Sequence, residues 1–161
     1  MHKANSFAIC SALLLAACGE APGPTVVNSD DRVLTATESF RDVGDFTIHF
    51  NAMPTAQLTA EVASTYGIVR SQNRAMLTVN IRKNGASGTT AARGTVTATA
   101  TNLSGQLRNL TMREVTESDA VYYIGETMIS NAETLVFTIQ VTPEGSDQTQ
   151  TIRYMKQFFV D

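Results

Sequence analysis

The chain of 161 residues is 43% hydrophobic, 17% charged and 7% aromatic, with a formal net charge of -3 and a pI of about 5.3. Ten Gly, four Pro and this apolar content exclude collagen-like and disordered classes and suit one globular domain. Twelve Lys+Arg against fifteen Asp+Glu exclude a pervasively basic nucleic-acid binder, whose phosphate contacts need clustered cations.

The chain opens with His2 and Lys3, followed by an apolar run from Phe7 to Ala17. This run is shorter than the roughly 20 residues a membrane span needs, and it ends in small residues as a signal peptide does. The tetrapeptide Leu15-Ala16-Ala17-Cys18 resembles the lipobox of bacterial lipoproteins. The resemblance implies that residues 1–17 are a signal peptide cut before Cys18, whose thiol carries a diacylglyceryl group and whose new amine is acylated. Small residues fit a peptidase site, and the thiol is the nucleophile that takes the lipid. Cys10 lies in the discarded segment and Cys18 becomes a thioether, so a disulfide and a cysteine nucleophile are both excluded from the mature domain. Several acyl chains anchor durably, at about 0.8 kcal/mol per buried methylene. Position 19 is Gly rather than Asp. By resemblance to Gram-negative sorting rules, this favours the outer membrane, with the domain facing the periplasm.

Residues 18–38 read as the lipidated Cys and a flexible tether, with Pro22, Pro24, Gly23 and the acidic pair Asp30-Asp31 and little apolar periodicity. A coil of this length reaches on the order of 25 Å. A first strand around Val33–Thr37 is the competing reading. The folded body is expected over residues 39–161.

There the dominant period is two, the signature of strands. Phe46, Ile48 and Phe50 alternate with Thr47, His49 and Asn51, and Leu77, Val79 and Ile81 with Thr78, Asn80 and Arg82. Val96, Ala98 and Ala100 alternate with threonines, and Leu135, Phe137, Ile139 and Val141 repeat the pattern. Further strands fit residues 107–115, 120–128 and 149–160. Turn chemistry separates them at Lys83-Asn84-Gly85, Asn102–Gly105 and Pro143-Glu144-Gly145. About seven strands in an all-β chain predict an antiparallel β-sandwich of two sheets. One short helix is expected from the Thr59 N-cap through Ala60–Tyr66 to Gly67 at the left-handed C′ position, plugging an open edge or end of the sandwich.

The string Asp119-Ala120-Val121-Tyr122-Tyr123-Ile124 is similar to the Asp-x-Ala-x-Tyr-x-Cys run of immunoglobulin domains, with Ile124 at the cysteine position. This likeness makes the expected sandwich immunoglobulin-like. It also makes Tyr122 the candidate tyrosine corner, buried and bonded to backbone. On that reading Tyr122→Phe destabilises more than Tyr123→Phe.

His49 is the only histidine left after processing and points away from the expected core. It and Met53, four residues on, are the candidate metal ligands, with other methionines available as thioether donors. A zinc or copper site wants several ligands, and no His-x-Met or Met-x-x-Met pair exists here. No cofactor is expected. A Gly-x-Ser-x-Gly nucleophile elbow is absent from the sequence, and no catalytic residue is singled out. Asp42 and Asp45 read as a turn, and Glu114, Glu117 and Asp119 as a solvated loop.

The segment from about Phe40 to Asp161 resembles an uncharacterised envelope family, domain of unknown function (DUF) 4426. The resemblance rests on Gly44-Asp45-Phe46-Thr47-Ile48-His49-Phe50-Asn51-Ala52, Leu58-Thr59-Ala60-Glu61-Val62-Ala63 and Tyr66-Gly67-Ile68-Val69-Arg70-Ser71. It continues in Ala100-Thr101-Asn102-Leu103, Met112-Arg113-Glu114-Val115, Asp119–Ile124 and Gln157-Phe158-Phe159-Val160-Asp161. Ala60 departs from a common proline and Met112 from a usual aromatic. The likeness implies a β-rich, lipid-anchored protein and supplies no reaction.

The expected function is therefore non-enzymatic: a periplasmic, lipid-anchored binding or interaction module of the cell envelope. Its partners would be the membrane through Cys18 and an envelope protein or glycan, with no nucleic acid. The Thr-rich face of Thr95, Thr97, Thr99 and Thr101 and the helix are candidate contact surfaces. The alternative is a small-ligand or copper-binding module around His49 and the methionines.

Overall fold

The computed structural model describes residues 32–160, so the expected signal peptide and Cys18 lie outside the described residues. Eleven strands and one α-helix follow in chain order among them. They are β1 Val33–Leu34, β2 Phe40–Val43, β3 Phe46–Pro54, α1 Ala60–Thr65, β4 Arg74–Gly85, β5 Gly88–Ala92 and β6 Gly94–Asn102. The remainder are β7 Leu107–Leu110, β8 Arg113–Glu117, β9 Ala120–Met128, β10 Glu133–Pro143 and β11 Gln150–Phe158.

They form two sheets. The first runs β1-β11-β10-β6-β7, and the second runs β2-β3-β4-β9-β8 with β5 added beside β4. Seven of these strands make the frame of an immunoglobulin-like sandwich. The order β3-β4-β9-β8 reproduces the A-B-E-D sheet, and β11-β10-β6 the G-F-C sheet. The fold is an all-β sandwich, as the alternation requires.

Inward-facing residues of both sheets meet in one core that includes Ile48, Phe50, Leu77, Val79, Leu135, Phe137, Ile139, Ile152, Tyr154 and Phe158. The apolar members of the period-two runs became this core because a strand delivers every second side chain to the same face. Phe137 stacks on Tyr154 at 6.1 Å and meets Phe158 edge-on at 6.3 Å.

Three expectations need correction. The folded body begins at Val33, not Ser39: β1 pairs in parallel with Arg153 and Tyr154 of β11, and Leu34 is buried in the core. Its burial outweighs the loop-like composition around it. The expected strand 107–115 is two strands in different sheets. β7 pairs with β6 and β8 with β9, and the chain changes sheets between Leu110 and Arg113. Gly125 on β9 makes that crossing possible, since a Cβ there would run into Met112 Sδ and Leu110.

The third correction concerns the helix. The Thr59 hydroxyl accepts from Val62 N–H at 3.2 Å, and Gly67 ends the helix at φ +62°. Both ends follow the sequence signals. Yet α1 covers the outer face of the second sheet instead of plugging an edge. Ala63, Leu58 and Ile68 form a small second core with Met76 and Ile124 there.

Candidate functional site

The outer face of the second sheet changes character along its strands. Beneath α1 it is apolar. Beyond the helix it opens into a shallow depression of about 220 Å³ lined by Ser39, His49, Phe50, Asn51, Thr78, Asn80 and Tyr122. Register places these side chains. Phe40, His49, Asn80 and Tyr122 stand at paired positions on β2, β3, β4 and β9, and Asn51 and Thr78 form the next pair.

His49 is exposed, as its position in the alternation demands, and its ring lies 5.9 Å from that of Phe40 at 43°. Asn80 is only 9% exposed, and its amide nitrogen donates to Val121 O at 2.7 Å. The alternation alone reads Asn80 as solvated; the neighbouring strands sink it into the floor. Tyr122 is half-buried, and its hydroxyl makes no hydrogen bond with any described residue.

His49 and Met53 share this face but not a site. Four residues of strand separate them by roughly 13 Å, whereas donors to one ion lie only about 2.0–2.3 Å from it. Met53 instead packs against the small core beneath α1. The structure thus sets the two candidates apart along β3, with Met53 at the apolar end of the face. No group of three or more His, Cys, Asp or Glu residues among the described ones is arranged to hold a metal ion.

The tyrosine corner also needs correction. The Asp119–Ile124 string falls on β9, the E-strand position, whereas the immunoglobulin corner belongs near the start of strand F, here β10. Tyr123, not Tyr122, points into the main core, at 5% exposure. Its hydroxyl accepts from Gly94 N–H at 2.9 Å and donates to Glu114 Oε2 at 3.1 Å. Glu114 in turn meets Arg93 at 2.8 Å. Burial is the main cause pushing the Tyr123 phenol above its ordinary pKa, with Glu114 adding to it and Gly94 N–H opposing it.

The carboxylates read from sequence as a solvated loop are in part structural. Glu114 holds Tyr123, and Glu117 accepts from the Tyr66 hydroxyl at 2.5 Å, tying β8 to the end of α1. Asp42 accepts from the Thr47 hydroxyl at 2.5 Å across the β2–β3 hairpin, in keeping with the turn reading.

Two further interactions went unread in the sequence because their partners are far apart along the chain. Glu133 accepts from Arg108 through both carboxylate oxygens, at 2.6 and 3.1 Å. Arg108 holds the Glu133 carboxyl below its ordinary pKa, helped by Asn102 and Ser130 N–H. Lys156 points between the sheets and donates to Ala52 O, and burial lowers its pKa. The Thr-rich face lies on the outer side of the first sheet, where Thr97, Thr99, Asn109, Thr138 and Gln140 line a shallow hollow of about 310 Å³.

An immunoglobulin-like sandwich, with one outer face half roofed by a helix and half open as an aromatic and amide depression, is the class defined here. The chain belongs to the DUF4426 family, a domain of unknown function whose family model matches residues 40–161. It is similar to the crystal structure of a DUF4426 family protein from Pseudomonas aeruginosa PAO1, with 34% identity and a TM-score of 0.65. That match covers 76% of this chain and 94% of the other. No functionally curated protein matches.

Proposed function

We propose that this protein is a lipid-anchored module of the Gram-negative envelope, seated on the outer membrane and facing the periplasm. It binds an envelope protein or glycan and carries out no covalent chemistry. The observation that carries the reading is the distance along the chain between two features. The lipobox Leu15–Cys18 stands only 14 residues before the first strand residue, Val33. Even fully extended, such a segment spans at most about 50 Å. A lipid on Cys18 therefore keeps the sandwich close to the membrane surface, where a binding domain meets its partners at high local concentration.

Fractionation of cells expressing Cys18→Ser tests the anchor. The variant is expected in the soluble or precursor fraction, while the parent sediments with membranes. A Cys18→Ser protein that is processed normally and still fractionates with membranes would sink the reading.

A further inference from the structure

We propose that the depression on the outer face of the second sheet is a saccharide site that takes one neutral pyranose ring of an envelope glycan. This rests on the binding-module reading above and names the ligand class of one surface.

The shape comes from the register. His49 and Tyr122 rise from β3 and β9 on either side of β4, two strand spacings apart, or roughly 10 Å. Between them Asn80 lies low, sunk to 9% exposure and held down by its bond to Val121 O. The result is a shallow, open hollow with an aromatic residue on either side and an amide at its floor, about the breadth of one six-membered ring. Phe40, 53% exposed and beside His49, extends the aromatic wall outward along the same row.

The chemistry selects the ligand. Aromatic faces carry negative charge density that attracts polarised C–H groups, which a pyranose presents on its carbon face. The Tyr122 and Thr78 hydroxyls and the Asn51 amide can each donate and accept, as sugar hydroxyls also do. The free Tyr122 hydroxyl offers both roles at the rim. No Asp, Glu, Lys or Arg lines the depression. His49 is the only basic side chain in the lining, so a phosphate or carboxylate finds no permanent positive charge there. A lipid chain would meet the Asn and Thr groups in an open hollow that cannot enclose it.

The test is calorimetric titration of the purified full-length mature lipoprotein in detergent micelles with chitotriose and, separately, maltotriose. Saturable binding of at least one trisaccharide is expected. Phe40→Ala and Tyr122→Phe should each weaken it several-fold, while Thr151→Ala, exposed on β11 of the opposite sheet, leaves it unchanged. Phe40 is exposed and Tyr122→Phe keeps the ring, so both variants retain the packing that a melting curve reads. Absence of saturable binding by either sugar up to about 10 mM, a concentration at which a site with a Kd near 1 mM is almost filled, overturns the proposal. So does binding that Thr151→Ala weakens as much as Phe40→Ala. A photo-crosslinker at position 40 in intact cells separates the two levels. Capture of an envelope protein without any sugar binding defeats the saccharide site and leaves the anchored binding module standing.

Discussion

The two cores of this molecule lie on opposite faces of one sheet and are built on different terms. The main core is walled by a sheet on each side, so Phe137, Ile139 and Leu77 are fully enclosed. The second is roofed by a six-residue helix, whose Ala63 packs with the flanking Leu58 and Ile68 over Met76 and Ile124. A helix so short is marginal alone and owes its persistence to the face it buries. One wall cannot move without unpairing strands; the other can settle by a small shift of a helix. The same methylene should therefore cost more in the first core than in the second.

Truncation tests this most strongly. Ile139→Ala is expected to lose about 2–5 kcal/mol, because the cavity between two paired sheets cannot collapse. Ile68→Ala, beneath the helix, should lose roughly half as much, since the rim of the small core can close around the gap. Urea midpoints of the two variants decide it, and a larger loss at Ile68 would show that the helix, not the sandwich, limits stability.

A finer contrast lies within one dipeptide of β9. Tyr123→Phe removes the hydroxyl that joins Gly94 to Glu114 at the margin of the main core and should cost about 1–2 kcal/mol. Tyr122→Phe, at the edge of the second core, breaks no bond to a described residue and should fall within about 0.5 kcal/mol of the parent. This reverses the order that the immunoglobulin likeness of the local string implies. Equal thermal shifts for the two would remove the assigned role of Tyr123.

The smallest effect is electrostatic and lies within the first sheet, between β7 and β10 on either side of β6. Arg108 depresses the Glu133 pKa in the folded state below its ordinary value near 4.5. A depressed carboxylate contributes stability above its unfolded-state pKa and loses it as pH falls through the folded one. As pH falls from about 5 the parent should thus lose more stability than Glu133→Gln. Parallel pH profiles of the two proteins would rule out this contribution.

Much of this was legible in the chain. The period-two runs around Ile48, Leu77, Val96 and Ile139 identify buried residues because strand geometry alone sends them to one face. Thr59 and Gly67 mark the ends of α1 because capping and the left-handed C′ position are local effects. Val33–Leu34 was harder to read, since two residues carry no period and their partner β11 lies over a hundred positions away. Glu114 was misread for the same reason: nothing in its neighbourhood announces Arg93 across the loop.

The candidate site divides along the same line. That His49, Asn51, Thr78 and Asn80 face away from the core follows from alternation within each strand, and so does the class of fold. Their neighbourhood does not. It required β9 to lie beside β4, β2 to begin at Phe40, and Tyr122 to stand at the margin of the small core. Which tyrosine of the pair turns inward was likewise settled by pairing, because shifting a strand by one residue exchanges its faces. Local sterics and periodicity act over a few residues and can be read in order. Sheet register and strand adjacency are set by the summed burial of the whole sandwich, and they exist only once it has closed.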